Sequence, residues 1–189
     1  MAETDIILIG PMSAGKTTQA ELLSARLNRP VVEVDALRWQ YYAEIGYDKA
    51  VAKERRESGG ILALVAYWKP FEIHAVERML ADHQNCIFSF GGGHSVYEDD
   101  ALFERVKRAL APYKNVVLLR PSPDDDESMN ILLERMREED EGDVEAAVVQ
   151  LNEHFLTHHS NADLATITVY TKGKTPDETC EDILAQLRQ

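Results

Sequence analysis

The stretch that decides the fold is Ile6-Ile7-Leu8-Ile9-Gly10-Pro11-Met12-Ser13-Ala14-Gly15-Lys16-Thr17-Thr18. Four consecutive apolar residues closed by Gly-Pro read as a short strand buried on both faces. A helix follows from about Gly15 to Leu27, with Ala20, Leu22, Leu23 and Leu27 on its apolar side. Between the two, residues 10–17 fit G-x-x-x-x-G-K-[ST] at every fixed position. Gly10 and Gly15 let the backbone turn tightly around an anion, and N–H groups of residues 13 to 17 then point at phosphates from a helix N-terminus. Lys16 can reach the β and γ phosphates, and the Thr17 hydroxyl suits Mg2+. A chance glycine-rich turn would not need a buried strand on one side and a helix on the other. The expectation is bound ATP and Mg2+, with Gly10, Ser13, Ala14, Gly15, Lys16, Thr17 and Thr18 on the nucleotide.

Outward from this loop, strands and helices alternate. Residues 31–34 form a second strand ending at Asp35, and residues 36–57 read as helical with a break near Gly46. Ser58-Gly59-Gly60 is a breaker, and a further helical stretch is interrupted at Pro70 and resumes to about His83. Residues 86–90 form a third strand, running into Gly91-Gly92-Gly93. A helix over 99–110 leads to the fourth strand, 116–119. Two helices, 125–139 and 143–157, flank an acidic turn, and the last strand covers 165–170. Thr175-Pro176-Asp177-Glu178 opens the last helix with a Thr cap, Pro at the first helical position and Glu at the third. The alternation predicts an α/β fold with a parallel sheet, one domain over 1–189.

The 189 residues carry a net charge of −13, which repels nucleic-acid phosphates and anionic membranes. Cys86 and Cys180 show no metal-ligand spacing and are read as reduced thiols. The acidic start at Glu3 and Asp5 runs straight into a strand, and the longest apolar run, residues 61–68, is far short of a membrane span. The expected setting is cytoplasmic, with no nucleic-acid or membrane partner and a monomer or homodimer. A P-loop alone does not separate kinases from switches and motors. The chain lacks N-K-x-D for guanine recognition, and its third and fourth strands end in Gly91 and Arg120 where a Walker B strand would place Asp. That favours the small-kinase branch, where carboxylates come from the second strand.

At this point the sequence resembles the shikimate kinase family over most of its length. Residues 10–18 resemble the family's GPMGAGKST loop, including the Pro-Met pair; Glu33-x-Asp35 stands where the family has D-x-D; Phe90-Gly91-Gly92-Gly93 stands where it has T-G-G-G; and Thr171-x-Gly173-x-Thr175-Pro176 resembles its adenine-side loop. The resemblance implies a P-loop three-layer α/β/α fold, a five-stranded parallel sheet in order 2-3-1-4-5 and a helical lid at about 122–158. It implies ATP-dependent transfer to a hydroxyl of a small molecule, with Asp35 holding that hydroxyl and acting as its base. Asp35 as a simple helix cap is the plainer alternative. Glu33 would assist Mg2+ through water or be a charge at a sheet edge. Gly91, Gly92 and Gly93 would bring backbone N–H groups to the acceptor or form an ordinary turn.

The departures bear on the acceptor. The family's F-R-x-x-E, whose Arg grips the shikimate carboxylate, reads Trp68-Lys69-Pro70-Phe71-Glu72 here, and Lys is a point charge rather than a planar fork. Counting back from Ala162-Asp163 puts His154 at the family's second carboxylate-binding Arg, and the R-P-L-L lid segment has no counterpart. Arg135 and Arg137 are left as lid cations, Arg135 toward catalysis and Arg137 toward nucleotide. An acceptor other than shikimate follows as the expectation. An ATP-binding regulatory module with little turnover is the competing reading. A nucleoside or nucleotide kinase fits less well with an acidic lid. His154 and His158, four apart, share a helix face and line the acceptor pocket, cap a helix or hold a metal. His94 approaches the acceptor or sits in a surface turn. Trp39 and Trp68 pack in the core or wall the pocket, and Arg55 and Arg56 reach the pocket or pair locally.

Overall fold

The computed structural model describes residues 4–139 and 142–187. Five strands, β1 (Ile6–Ile9), β2 (Val31–Glu33), β3 (Ile87–Ser89), β4 (Val116–Arg120) and β5 (Ile167–Tyr170), form one parallel sheet in the order β2-β3-β1-β4-β5. The strand order implied by the resemblance is therefore borne out. Helices α1 (Lys16–Leu27), α2 (Val34–Glu44), α3 (Lys49–Asp82), α4 (Asp100–Leu110), α5 (Asp125–Glu139), α6 (Ala146–Thr157), α7 (Ser160–Leu164) and α8 (Pro176–Leu187) cover both faces.

The two-residue period of the strands sorts their side chains into two cores. Ile7 and Ile9 of β1 belong with Tyr42, Ile73, Val76 and Met79 on the α2–α3 face, whereas Ile6 and Leu8 belong with Ala20, Leu23, Ile183 and Leu184 on the α1–α8 face. Both neighbours of β1 are strands, so all four of its residues are fully buried. This is why the segment reads as an unbroken apolar run rather than an alternating one. Cys86 and Cys180 are free, buried and in opposite cores.

Three elements differ from expectation. The second strand ends at Glu33, and helix α2 already begins at Val34, so Asp35 lies in the first turn of that helix. A carboxylate is favoured there by the positive end of the helix, and Val34 is fully buried as α2 starts. Helix α3 runs through Pro70 without a break and bends at Gly60, whose φ of 68° and ψ of −161° no ordinary residue adopts easily. Ile73, Val76 and Met79 are buried beyond the proline, and their packing outweighs the one hydrogen bond a proline removes. The short helix α7 had no sequence signal; Ser95 Oγ donates to Asn161 Oδ1 at 2.7 Å and Asn161 Nδ2 to the Phe155 carbonyl at 2.8 Å, so polar side chains hold it.

The capping box at α8 forms as read: the Glu178 N–H donates to Thr175 Oγ1 and the Thr175 N–H to Glu178 Oε2, at 3.2 and 2.8 Å. None of the described helices is long and apolar enough to cross a membrane. The segments that matter next all leave the carboxyl edge of the sheet, where open α/β folds bind ligands.

Candidate active site

The loop after β1 folds into a cradle. Gly10, Ser13 and Gly15 take positive φ of 133°, 57° and 91°. A Cβ at Gly10 would collide with the Leu119 carbonyl oxygen of β4, so only glycine lets the loop lie against that strand. No side chain caps α1, which leaves its first N–H groups for an anion. Lys16 is buried and folds back over its own loop, its Nζ donating to the Gly10 and Pro11 carbonyls at 2.9 and 2.6 Å. Burial lowers its pKa from 10.5 to about 8, against the opposing pull of Asp35 and Glu139. A cavity of about 390 Å³ opens here, and Gly15, Lys16, Thr17, Glu33, Asp35, Gly91 and Gly92 line it together. Thr17, Glu33 and Asp35 supply oxygen donors at its wall, which suits a Mg2+ ion that keeps waters and phosphate oxygens as most of its ligands. Among the described residues, no group of three or more His, Cys, Asp or Glu is placed to hold a metal by itself.

A second cavity of about 240 Å³ continues from the other side of the loop, lined by Ala14, Gly15, Thr18, Gln19, Arg135, Thr171 and Pro176. Arg135 reaches it from α5, donating to the Ser13 carbonyl and to Thr171 Oγ1, both at 3.3 Å. Arg137, one turn position away, is exposed and lines neither cavity. Glu139 touches both: Ser13 Oγ donates to its Oε2 at 2.7 Å. Sequence reading passed over Asn152. Fully buried on α6, it accepts the Met12 N–H at Oδ1, 2.7 Å, and donates back to the Met12 carbonyl at 3.3 Å, clamping the phosphate loop from the opposite segment. The available signal was an Asn flanked by Leu151, Phe155 and Leu156 on an otherwise apolar helix face.

Beyond Asp35 a third cavity, of about 270 Å³, has mixed walls: Asp35, Arg38 and His94 are polar, and Ile61, Val65, Trp68 and Phe155 are apolar. Asp35 is not a cap; Glu33 holds the cap position without a side-chain bond. Arg38 Nη1 donates to Asp35 Oδ1 at 3.0 Å, and its guanidinium lies 4.4 Å from the Trp39 ring centre and 4.8 Å from that of Trp68. Sequence reading missed Arg38 too, although a cation three residues after a helical Asp is the spacing that brings the two together. Trp68 walls the cavity, whereas Trp39 is 42% exposed and belongs to no core. Arg56 pairs with Glu145 of the facing segment at 2.7 Å, away from the cavity.

The three glycines are required for packing at this junction. A Cβ at Gly91 would fall 2.5 Å from Asp35 Oδ1, one at Gly92 2.9 Å from Met12 Cγ, and one at Gly93 3.1 Å from Lys69 Nζ. Gly91 and Gly92 still border the phosphate cavity, and Gly92 and Gly93 the third one. Lys69 is 5% exposed, and its Nζ donates to Glu72 Oε2 and to the Gly93 carbonyl, both at 2.8 Å. His154 stands 2.7 Å from Glu98 Oε1. Lys69 and His154 line a neighbouring groove that shares Val65 and Leu151 with the third cavity, and the two Lys69 partners, Glu72 and Gly93, line the third cavity itself. His158 caps the end of α6, its N–H donating to the His154 carbonyl and its Nδ1 meeting Ser160 Oγ at 2.8 Å; its ring centre lies 5.1 Å from that of His154, so the two share one side of the helix as spacing suggested. His94 is 1% exposed, which removes the surface-turn alternative.

Comparison with known proteins agrees with this geometry. A shikimate kinase from Flavobacterium psychrophilum is 30% identical over 108 residues, 57% of each chain, and one from Geobacillus kaustophilus is 34% identical over 104 residues, 52% of this chain and 47% of that one. The match thus spans about half the length of these curated relatives. Among solved structures, shikimate kinase from Acinetobacter baumannii in complex with shikimate superimposes with a TM-score of 0.65 at 19% identity, covering 98% of this chain and 93% of the other. A gluconokinase from Sinorhizobium meliloti gives 0.65 at 17%, covering 98% and 92%; at such identities both show the fold alone. The family model described as shikimate kinase matches residues 12–188, nearly the whole chain, and the protein belongs to the shikimate kinase family.

Proposed function

We propose that this chain is an ATP-dependent phosphotransferase acting on a hydroxyl of a small molecule other than shikimate. The carrying observation is that Lys16 and Asp35 line one cavity, with a nucleotide-sized cavity on the Lys16 side and a mixed polar and apolar one on the Asp35 side. ATP would lie with its base toward Thr171 and Pro176 and its phosphates on the loop N–H groups. Lys16 leaves the Gly10 and Pro11 carbonyls and follows the charge that builds on the transferred group. Asp35 accepts the acceptor's hydroxyl proton as that oxygen attacks in line, and Arg38 holds the carboxylate in place. Thr17 and Glu33 would hold Mg2+, which would supply charge neutralisation at the phosphates when bound. Arg135 braces the loop at Ser13 and meets the nucleotide, and Arg137 joins when the α5–α6 segment closes.

The claim against shikimate rests on Lys69 and His154. Each is already engaged by a carboxylate, Glu72 and Glu98, and each faces the neighbouring groove. For Lys69, gripping an acceptor carboxylate would require breaking a buried ion pair, a costly change.

One observation favours a second reading, a regulatory module that binds ATP without turnover: Glu139 sits on Ser13 at the mouth of the phosphate cavity. A single experiment separates the readings. Mg-ATP-dependent ADP release is measured with sugars, cyclitols, nucleosides, amino alcohols, hydroxy acids and shikimate. Stimulation by a non-shikimate acceptor is expected. Stimulation by shikimate alone overturns the acceptor claim, stimulation by nucleosides selects the nucleoside-kinase alternative, and tight ATP binding with no stimulation selects the module.

A further inference from the structure

His94 lines the third cavity with both of its polar atoms, Nδ1 and Nε2, left unpartnered among the described residues. It sits in the turn after the glycines, 1% exposed. The Asp35 Oδ1 atom is 4.0 Å from Nδ1, too far for a hydrogen bond. A neutral imidazole carries one donor and one acceptor, and leaving either buried and unpaired costs about 1–3 kcal/mol. A leucine would fill the same space without that penalty. Buried polar groups without partners are rare in folded proteins, and one that lines a cavity is explained by what enters the cavity.

We propose that His94 is an acceptor-specificity residue: its ring binds the hydroxyl next to the one phosphorylated, so that the acceptor is an uncharged molecule with a vicinal diol. This rests on the kinase reading above. The attacking hydroxyl gives its proton to Asp35 and one lone pair to phosphorus, so a hydrogen bond from His94 to the other lone pair would weaken it as a nucleophile. The neighbouring oxygen of a gauche diol lies about one hydrogen-bond length away and bridges the gap between Asp35 and the ring. Burial lowers the pKa of His94, which keeps the ring neutral at neutral pH. A neutral ring suits a hydroxyl, which both donates and accepts, better than a carboxylate, which only accepts. Asp35 and Glu72 both line the cavity beside its one guanidinium, whose Nη1 is taken by Asp35, so the balance of charge there disfavours an anion, and Trp68, Phe155 and Val65 offer apolar contact to ring carbons.

The test uses the full chain, its variants His94→Leu and His94→Gln, Mg-ATP, and cyclic vicinal diols (cyclitols and pyranoses) paired with counterparts lacking one of the two hydroxyls. Wild type is expected to prefer the diols. His94→Leu should raise KM for the diol about ten- to hundredfold, erase the preference and leave nucleotide affinity unchanged. His94→Gln should restore part of the preference. Without acceptor, His94→Leu should melt at the same temperature as wild type or higher, because an unpaired buried group has been removed. An unchanged KM, a preference that survives in His94→Leu, or a lower melting temperature in that variant would each overturn the assignment, the last by making His94 a structural residue. Mg-ATP binding with no ADP release by wild type for any compound overturns the kinase reading itself, and the diol assignment with it.

Discussion

Replacing Lys16 by Met keeps the length of the side chain and deletes the ammonium. In the free protein this ammonium is buried, and its pKa falls from 10.5 to about 8 because desolvation outweighs the attraction of Asp35 and Glu139. The sign of the consequence follows from proton counts. Between pH 8 and 10.5 the folded state has lost the proton and the unfolded state still holds it, so wild-type stability rises with pH across that window. The full rise corresponds to about 3 kcal/mol. Lys16→Met has no such group, so the stability difference between variant and wild type should change by about that amount from pH 7 to pH 10.5, other titrations cancelling in the subtraction. Urea unfolding of both proteins across this range measures it. Saturating Mg-ATP should flatten the wild-type rise, since phosphates favour the charged lysine. A difference that does not move with pH would refute the claim that burial holds a charged Lys16 at a cost. Phosphoryl transfer should be lost in the variant, and retained transfer would remove Lys16 from the mechanism.

Asp35→Asn should lower kcat by about two to four orders of magnitude with little effect on nucleotide affinity; equal turnover in an acceptor-dependent assay would exclude Asp35 as the base. Glu139→Gln keeps an acceptor for Ser13 Oγ and removes an anion from the phosphate cavity, so calorimetry should show ATP binding about three- to tenfold tighter. Weaker binding would mean that Glu139 supports the nucleotide rather than opposing it. Asn152→Ala strips both partners from the Met12 backbone and should cost about 2–3 kcal/mol, seen as a melting point lower by about 5–10 °C. A neutral effect would mean that the clamp on the loop is replaceable by water.

The phosphate half of the site was legible because its chemistry is local. Gly10, Gly15, Lys16 and Thr17 act within one strand–loop–helix, and the dihedral angles that demand glycine are written into consecutive residues. The sheet order was legible through family resemblance; the alternation of elements alone predicts only that the strands are parallel. Helix boundaries slipped where tertiary packing overrode a local signal. Pro70 stays helical because Ile73, Val76 and Met79 are buried beyond it, whereas the breaker read at Gly59-Gly60 is real: Gly60 leaves helical geometry and two helical segments of α3 meet there at a kink. The acceptor half was least legible. Asn152 and His94 act across long sequence separations: Asn152 meets Met12 over 140 residues, and His94 faces Asp35 from the turn after β3, whereas Arg38 pairs with Asp35 at a local spacing of three. The glycines after β3 were read as a surface for the acceptor, yet their missing Cβ atoms first make room for Asp35, Met12 and Lys69.

The replacement of Arg by Lys at position 69 acquires a physical meaning only because Glu72 stays. A guanidinium pairs with one carboxylate along one edge and presents further N–H groups to a second. Lysine has three donors on one nitrogen, and here Glu72 Oε2 and the Gly93 carbonyl take two of them. The Tyr97 and Phe155 rings lie 5.2 and 5.5 Å from the same nitrogen. The charge is thus neutralised where it stands instead of being directed into the acceptor cavity. Arg38 likewise spends Nη1 on Asp35. A cavity lined by Asp35 and Glu72 beside a single guanidinium offers little attraction for an anion, and a carboxylate entering it would lose its hydration next to two like charges. A hydroxyl loses far less, and the partnerless nitrogens of His94 are the groups best placed to receive one. The unpaired ring and the paired cations are therefore two sides of one argument: under the proposed reading, the acceptor is selected by neutral hydrogen bonding rather than by charge.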